Sequence, residues 1–322
     1  MKKANAVQWL VSVIFITFVI SCSDESNPVV EQVKYKWKET LMSPAGLFTD
    51  AQLEVGDDNY LYACASSTVT GKPGFFKYPG PNWNSSPWTF IAQSDIYPFS
   101  NSQSFQIYQG SIYYHVFDKL YKVEGDDTRE ILSSDVISGI KAYKDKLIIV
   151  GEGINISNDK FTIVSYDGTS FEPLSKEMTI GRIISANDKL YIQGYPGFVF
   201  DGQNVNTLDF FGNFFAVDAD ESIYFGDSFN LSFTMEKKLI DGQIDGVGNS
   251  IKEFGNPQEV EFYDGMLIVV GDVVNASSRA YYLGDQEWIQ IPTTHSIYDV
   301  VVYGNKFLSI SWDGKIFELV KK

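Results

Sequence analysis

Downstream of residue 33 the chain alternates short apolar runs with Gly, Asn and Asp punctuation, and the 3.6-residue periodicity of an amphipathic helix is nearly absent. One unit recurs: an apolar strand, a tight polar turn, then a stronger apolar strand. Copies run from Leu53 to Tyr62, Phe105 to Tyr114, Ile140 to Ile148, Ile184 to Tyr191, Ala216 to Tyr224, Val260 to Ile268 and Val300 to Leu308. The apolar anchors at 61, 112, 147, 190, 223, 267 and 307 lie 51, 35, 43, 33, 44 and 40 residues apart, a mean of 41.

A second half-motif follows the strong strand: another strand, a glycine turn, and a fourth strand opening on an apolar residue. Ser165 to Leu174, turning at Gly168, and Val199 to Leu208, turning at Gly202, are the clearest copies, and Tyr282 to Ile291 follows the same plan. Four strands at a period of 40–45 predict an all-β protein, a β-propeller of seven four-stranded blades over residues 33–322. The seventh unit runs out one strand short, after Lys315–Val320, while Val33–Leu41 is a lone alternating strand without a hairpin mate. Pairing the two ends closes the ring and hides both open edges. The pattern resembles Kelch-like and related propellers, without the paired glycines of Kelch repeats. Trp312-Asp313 does not sit where WD40 repeats carry their pair, and Ser165 to Phe171 resembles an Asp-box one residue short, read here as a stable turn.

Residues 1–21 read as a signal peptide: Lys2 and Lys3, then an apolar stretch from Trp9 to Ile20 that is too short to span a bilayer. Val19-Ile20-Ser21-Cys22 resembles the lipobox of bacterial lipoproteins, and Ser23-Asp24-Glu25 resembles the surface-export signal of Bacteroidota lipoproteins. The resemblance implies acylation (palmitate-type chains) at Cys22, a tether over 22–32, and attachment to the outer membrane with the domain exposed at the cell surface. Several acyl chains on one cysteine give lasting attachment, at about 0.8 kcal/mol per buried methylene.

Composition narrows the function classes. The 322 residues carry a formal charge of −16 with three arginines, so a nucleic-acid partner is excluded for want of cations to neutralise phosphates. Removing 1–21, with two lysines and no acids, leaves −18. Cys64 lies in an apolar run and has no partner once Cys22 is acylated, so it is a buried structural thiol. No metal-ligand spacing, nucleophile elbow or phosphate loop occurs, and neither a cofactor nor a metal is expected.

Candidate chemistry then rests on aromatics in the loops. Trp83, Tyr97, Phe99, Phe210, Tyr298 and Trp312 lie in links and insertions, with Arg182 and Arg279 expected on the same face, at a blade link and a second-to-third-strand loop. Such side chains on a rigid scaffold suit a glycan, whose C–H faces stack on rings while polar groups take the hydroxyls. Packing of these rings over the channel top is the competing reading. Of the two histidines, His115 reads as a half-buried strand residue. His295, in the link between blades six and seven, is catalytic only if the protein is a polysaccharide lyase or hydrolase. The residues favour a non-catalytic binder of an extracellular glycan, ahead of a scaffold for another envelope protein and of the enzyme.

Overall fold

The turn residues dictate the strand layout. Gln109–Gly110, Asn187–Asp188 and Asp264–Gly265 have positive φ at both positions, the two-residue hairpin geometry that matches strand twist and selects Gly, Asn and Asp. The computed structural model describes the chain from Lys34 to Lys322 apart from residues 43–47, 68–72, 79–87, 94–103, 126, 178, 195, 209–213, 230–231, 240–241, 274–275 and 312–313. Cys22, Trp83, Tyr97, Phe99, Phe210 and Trp312 lie outside the described residues.

Among the described residues there are 28 strands and no helix, arranged as seven four-stranded antiparallel sheets. Each sheet is a blade of the β-propeller. The inner strands, from blade one to blade seven, are Phe48–Val55, Phe105–Tyr108, Val136–Tyr143, Thr179–Ala186, Phe214–Val217, Phe254–Tyr263 and Ile297–Tyr303. Every anchor seen in the repeat opens a second strand, and each pairs with its inner strand just across the turn, as in Val55 with Leu61 and Ala142 with Leu147. Blade seven is completed by Tyr35–Met42, which pairs antiparallel with Lys315–Lys321, so the ring closes through the N-terminal strand as the repeat count requires.

The core is a series of inter-blade layers. Leu53, Leu61 and Ala63 of blade one pack on Leu308, Ile310 and Ile316 of blade seven. Ile140, Leu147 and Ile149 of blade three pack on Tyr108, Tyr113 and Leu120 of blade two. Trp88 and Trp288 are buried, as their repeat positions demand, and so is Cys64, whose thiol is pushed up by burial and is inert. His115 is 2% exposed, more deeply placed than a half-buried strand residue, because its strand is the second in the sheet and is covered on both faces.

A hydrogen-bonded staple repeats on one face, the one formed by the turns between inner and second strands. Tyr108 donates its hydroxyl to the carbonyl of Asp145 in the next blade, and Tyr143 does the same to Asp188. Asn187 reaches Asp218 at 2.7 Å, and Tyr263 reaches Asn305 at 2.9 Å. The end of the inner strand or the turn after it thus bolts each of these blades to its successor. Replacing Tyr263 by Phe removes one such bond without changing the packing. It is expected to cost about 1 kcal/mol, measured by denaturant unfolding, with Tyr263→Phe and Tyr108→Phe additive because the two staples are separate.

Candidate functional site

The inner strands turn their unpaired edges toward a central channel of about 460 Å³ lined by six of the seven blades. In six of the seven blades the inner strand is bulged against its neighbour, with register shifts such as Thr49/Gln52, Pro257/Glu259 and Ile297/Asp299. A bulge re-aims the side chains beside it, and here Glu259 and Asp299 follow directly and line the channel.

A second tier lies one residue before the position paired with each anchor. Glu54, Gln106, Lys141 and Glu261 hold it in blades one, two, three and six. Ile184, Ala216 and Val301 hold it in blades four, five and seven. The tier is therefore half polar and half aliphatic.

Polar groups in this channel serve backbone edges and one another. Asp299 accepts the Leu53 N–H of the neighbouring blade at 2.8 Å and its own Val300 N–H at 2.9 Å. Gln106 accepts the Ala142 N–H at 3.1 Å, and Arg182 donates to the Gln258 carbonyl. Two ion pairs cross between non-adjacent blades: Lys141 with Glu54 at 3.1 Å, and Arg182 with Glu259 at 3.2 Å. Four acids thus face two bases. Glu261 is the carboxyl left over, with neither an ion pair nor a hydrogen bond among the described residues.

Its surroundings set its proton affinity. Water reaches Glu261, but protein encloses the channel, and that desolvation together with the Glu259 charge pushes its carboxyl up to about 7, against the pull of Lys141 and Arg182. Burial, then Glu259, holds Asp299 well above the carboxylate range, and burial raises Glu54 despite Lys141. Blade five contributes only Ala216 and Val217 to the lining.

The candidate residues named from sequence fall into separate environments. Arg182 lies in the channel, paired as above, rather than at the rim. Arg279 sits inside the strand Ala276–Leu283, opposite Gly271, rather than in the preceding loop, because that strand begins earlier than its apolar pattern suggests. His295 stacks flat on Phe317 at 3.5 Å between centroids and meets the edge of Trp37 at 5.6 Å, with Nε2 3.1 Å from the Ser309 hydroxyl. It thereby cements the closing strand to blade seven. Tyr298 packs against the seam between blades seven and one. Among the described residues, His295, Tyr298 and the arginines do not converge on one reacting point.

The opposite face, formed by the blade links and the second-to-third-strand turns, carries a residue that sequence reasoning passed over. Phe117 is 64% exposed and holds φ at 51°, an outlier for a bulky side chain. Its turn is clamped to the link into blade three: the Phe117 carbonyl accepts the Ile137 N–H at 2.7 Å, and Asp118 accepts Ser134 at 2.8 Å. Val136, 47% exposed, opens the inner strand of blade three, next to Ile137. A bulky aromatic where the equivalent turn of blade three carries Ser157-Asn158, both at positive φ, was the available signal.

No family model matches this chain, and no curated protein matches it. Solved structures do resemble it. The β-propeller domain of Vanderwaltozyma polyspora Nup133 aligns at TM-score 0.56 and 9% identity, over 91% of this chain and 99% of that one. BBS1N, solved in complex with ARL6DN, aligns at 0.51 and 10% identity, over 90% and 98%. The extracellular domain of a B. thetaiotaomicron two component system aligns at 0.51 and 11% identity, over 88% of this chain but 42% of that one. Such identities define the class, a seven-bladed β-propeller, and nothing about its ligand.

The channel acids give stability a pH dependence. Glu261 is protonated in the folded state where the unfolded chain, near its ordinary 4.5, is ionised, so folding takes up protons between these values. Stability therefore falls as pH rises from 5 toward 8, and Asp299 and Glu54 add to the same slope. Glu261→Gln, a neutral isostere, is expected to raise the melting temperature at pH 8 by about 2–4 °C and to flatten the decline. Thermal scans from pH 5 to 8 check it; a variant less stable at pH 8 contradicts it.

Proposed function

We propose that this chain is an outer-membrane lipoprotein, acylated at Cys22, whose propeller binds an extracellular glycan on the link face without catalysis. The lipobox-like Val19–Cys22 and the acidic run after it support the anchor. Tyr35 opens the closing strand at the turn face, where its hydroxyl donates to Asp264 at 2.9 Å in the turn of blade six. Turn-face acids such as Asp57, Asp58, Asp188, Asp218 and Asp264 disfavour close contact with an anionic surface.

The observation that carries the binding reading is Phe117. An exposed aromatic ring held in a costly backbone conformation by two flanking backbone bonds is over-determined by its surroundings, and such strain, of order 1–3 kcal/mol, concentrates at functional sites. A presented ring, with the exposed Val136 adjoining its Ile137 partner, offers the flat apolar platform on which a sugar stacks.

The test separates strain from binding. Phe117→Asn suits the left-handed conformation and is expected to raise the unfolding midpoint by about 2–4 °C while abolishing glycan binding, read on a glycan array with the full chain in detergent. A variant that is stabilised yet still binds removes Phe117 from the site. Shortening of the bound polymer would identify an enzyme, and recovery of an envelope protein by pull-down with no glycan bound would favour the scaffold reading.

A further inference from the structure

The channel has a charge account that does not close. Glu54 is matched by Lys141, Glu259 by Arg182, and Asp299 by two backbone N–H groups. Glu261 is matched by nothing in the described structure, although it lines the same 460 Å³ space. Flanking it on the channel wall is hydrocarbon: Ala216 and Val301, at the equivalent places of the adjacent blades five and seven, with Ile184 of blade four beyond. No group of three or more His, Cys, Asp or Glu among the described residues is disposed to hold a metal ion. A bare ion would also gain nothing from the aliphatic wall.

We propose that the channel binds a small organic monocation, its ammonium or guanidinium head on Glu261 and its hydrocarbon body on Ile184, Ala216 and Val301. The head supplies the one positive charge the channel lacks, and the body removes apolar surface from water. Lys141 and Arg182 are each paired with another carboxylate, Glu54 and Glu259. Those two pairs leave one carboxylate to be matched, so a single charge is the natural fit. This site is independent of the link-face platform at Phe117.

Because the head pairs with the ionised carboxylate, binding strengthens as pH rises through the titration of Glu261. Glu54, Glu259 and Asp299 flank it, and Lys141 and Arg182 are the cations facing it. The probe is n-butylammonium chloride, titrated calorimetrically into the full chain in detergent. The expected result is saturable one-to-one binding at pH 8, weaker by about thirty-fold at pH 5.5, the ratio of ionised carboxylate at the two values. Neither n-butanol nor potassium chloride at equal ionic strength should reproduce it. Glu261→Gln should abolish binding while retaining its circular dichroism and showing the raised melting temperature at pH 8 expected above. Val301→Asn should weaken n-butylammonium but not methylammonium. Absence of saturable binding at pH 8, undiminished binding by a folded Glu261→Gln chain, or an equal response to n-butanol or potassium would each overturn the proposal.

Discussion

Seven sheets that converge on one axis leave seven unpaired strand edges in the middle of the molecule, where no further strand fits. Backbone N–H and C=O groups cannot be left there without partners. Side chains supply some of them: Asp299 for the edge of blade one, Gln106 for blade three, Arg182 for the Gln258 carbonyl of blade six. Groups able to do this are polar or charged, so closing the ring brings charge into a confined channel. Charges so confined need counter-charges, and Glu54–Lys141 and Glu259–Arg182 follow. The channel's chemistry is in this sense a consequence of its geometry, and Glu261 stands out because the geometry does not require it.

The fold was largely legible because its unit is local. A strand, a two-residue turn of Gly, Asn or Asp, and a stronger strand recur often enough for the period to emerge, and the missing last strand together with the lone Val33–Leu41 run implied closure. The channel was not legible in the same way. Glu54, Gln106, Lys141 and Glu261 each sit between two apolar residues of an inner strand, a pattern that reads as solvent-facing alternation. Their common burial emerges only when seven strands share an axis, and the bulges that aim Glu259 and Asp299 inward leave no mark in hydrophobic periodicity. Arg182, for the same reason, read as a rim residue. A position-by-position comparison of repeats, Glu, Gln, Lys, Ile, Ala, Glu, Val at one place, carries the missing information.

The two faces of the ring are held differently. On the turn face, the hairpins are short, and the Tyr108, Tyr143, Asn187 and Tyr263 staples tie successive blades at the end of the inner strand or in the turn after it. Even the five-residue turn of blade five keeps its staple, Asp218 accepting from Asn187. On the link face the constraint is looser: the strands Lys146–Ile156 and Asp159–Tyr166 extend as a long hairpin in blade three, and the uneven repeat spacing, from 33 to 51 residues, reflects segments that vary without disturbing the core. Phe117 belongs to that face, where a strained conformation costs stability but no packing.

The closing strand carries a second burden under the proposed anchoring. Any force on a tether enters the fold at Lys34, the end of the strand that seals the ring, and a seal loaded at its end opens pair by pair unless that end is secured. The structure secures it from its own blade and from blade six. Lys34 accepts the Lys322 N–H at 2.8 Å and donates to the Tyr282 hydroxyl of blade six at 3.2 Å. Asp264, in the turn of blade six, accepts from Tyr35 at 2.9 Å and pairs with Lys321 at 2.6 Å, so one carboxylate holds both partners of the terminal register pair. Farther along, Trp37 meets His295, which lies flat on Phe317 of the partner strand. An exposed carboxylate–lysine pair contributes little on its own. Placed where separation would have to begin, and joined to a tyrosine hydroxyl and two backbone groups, it acts on the step that all later opening depends on.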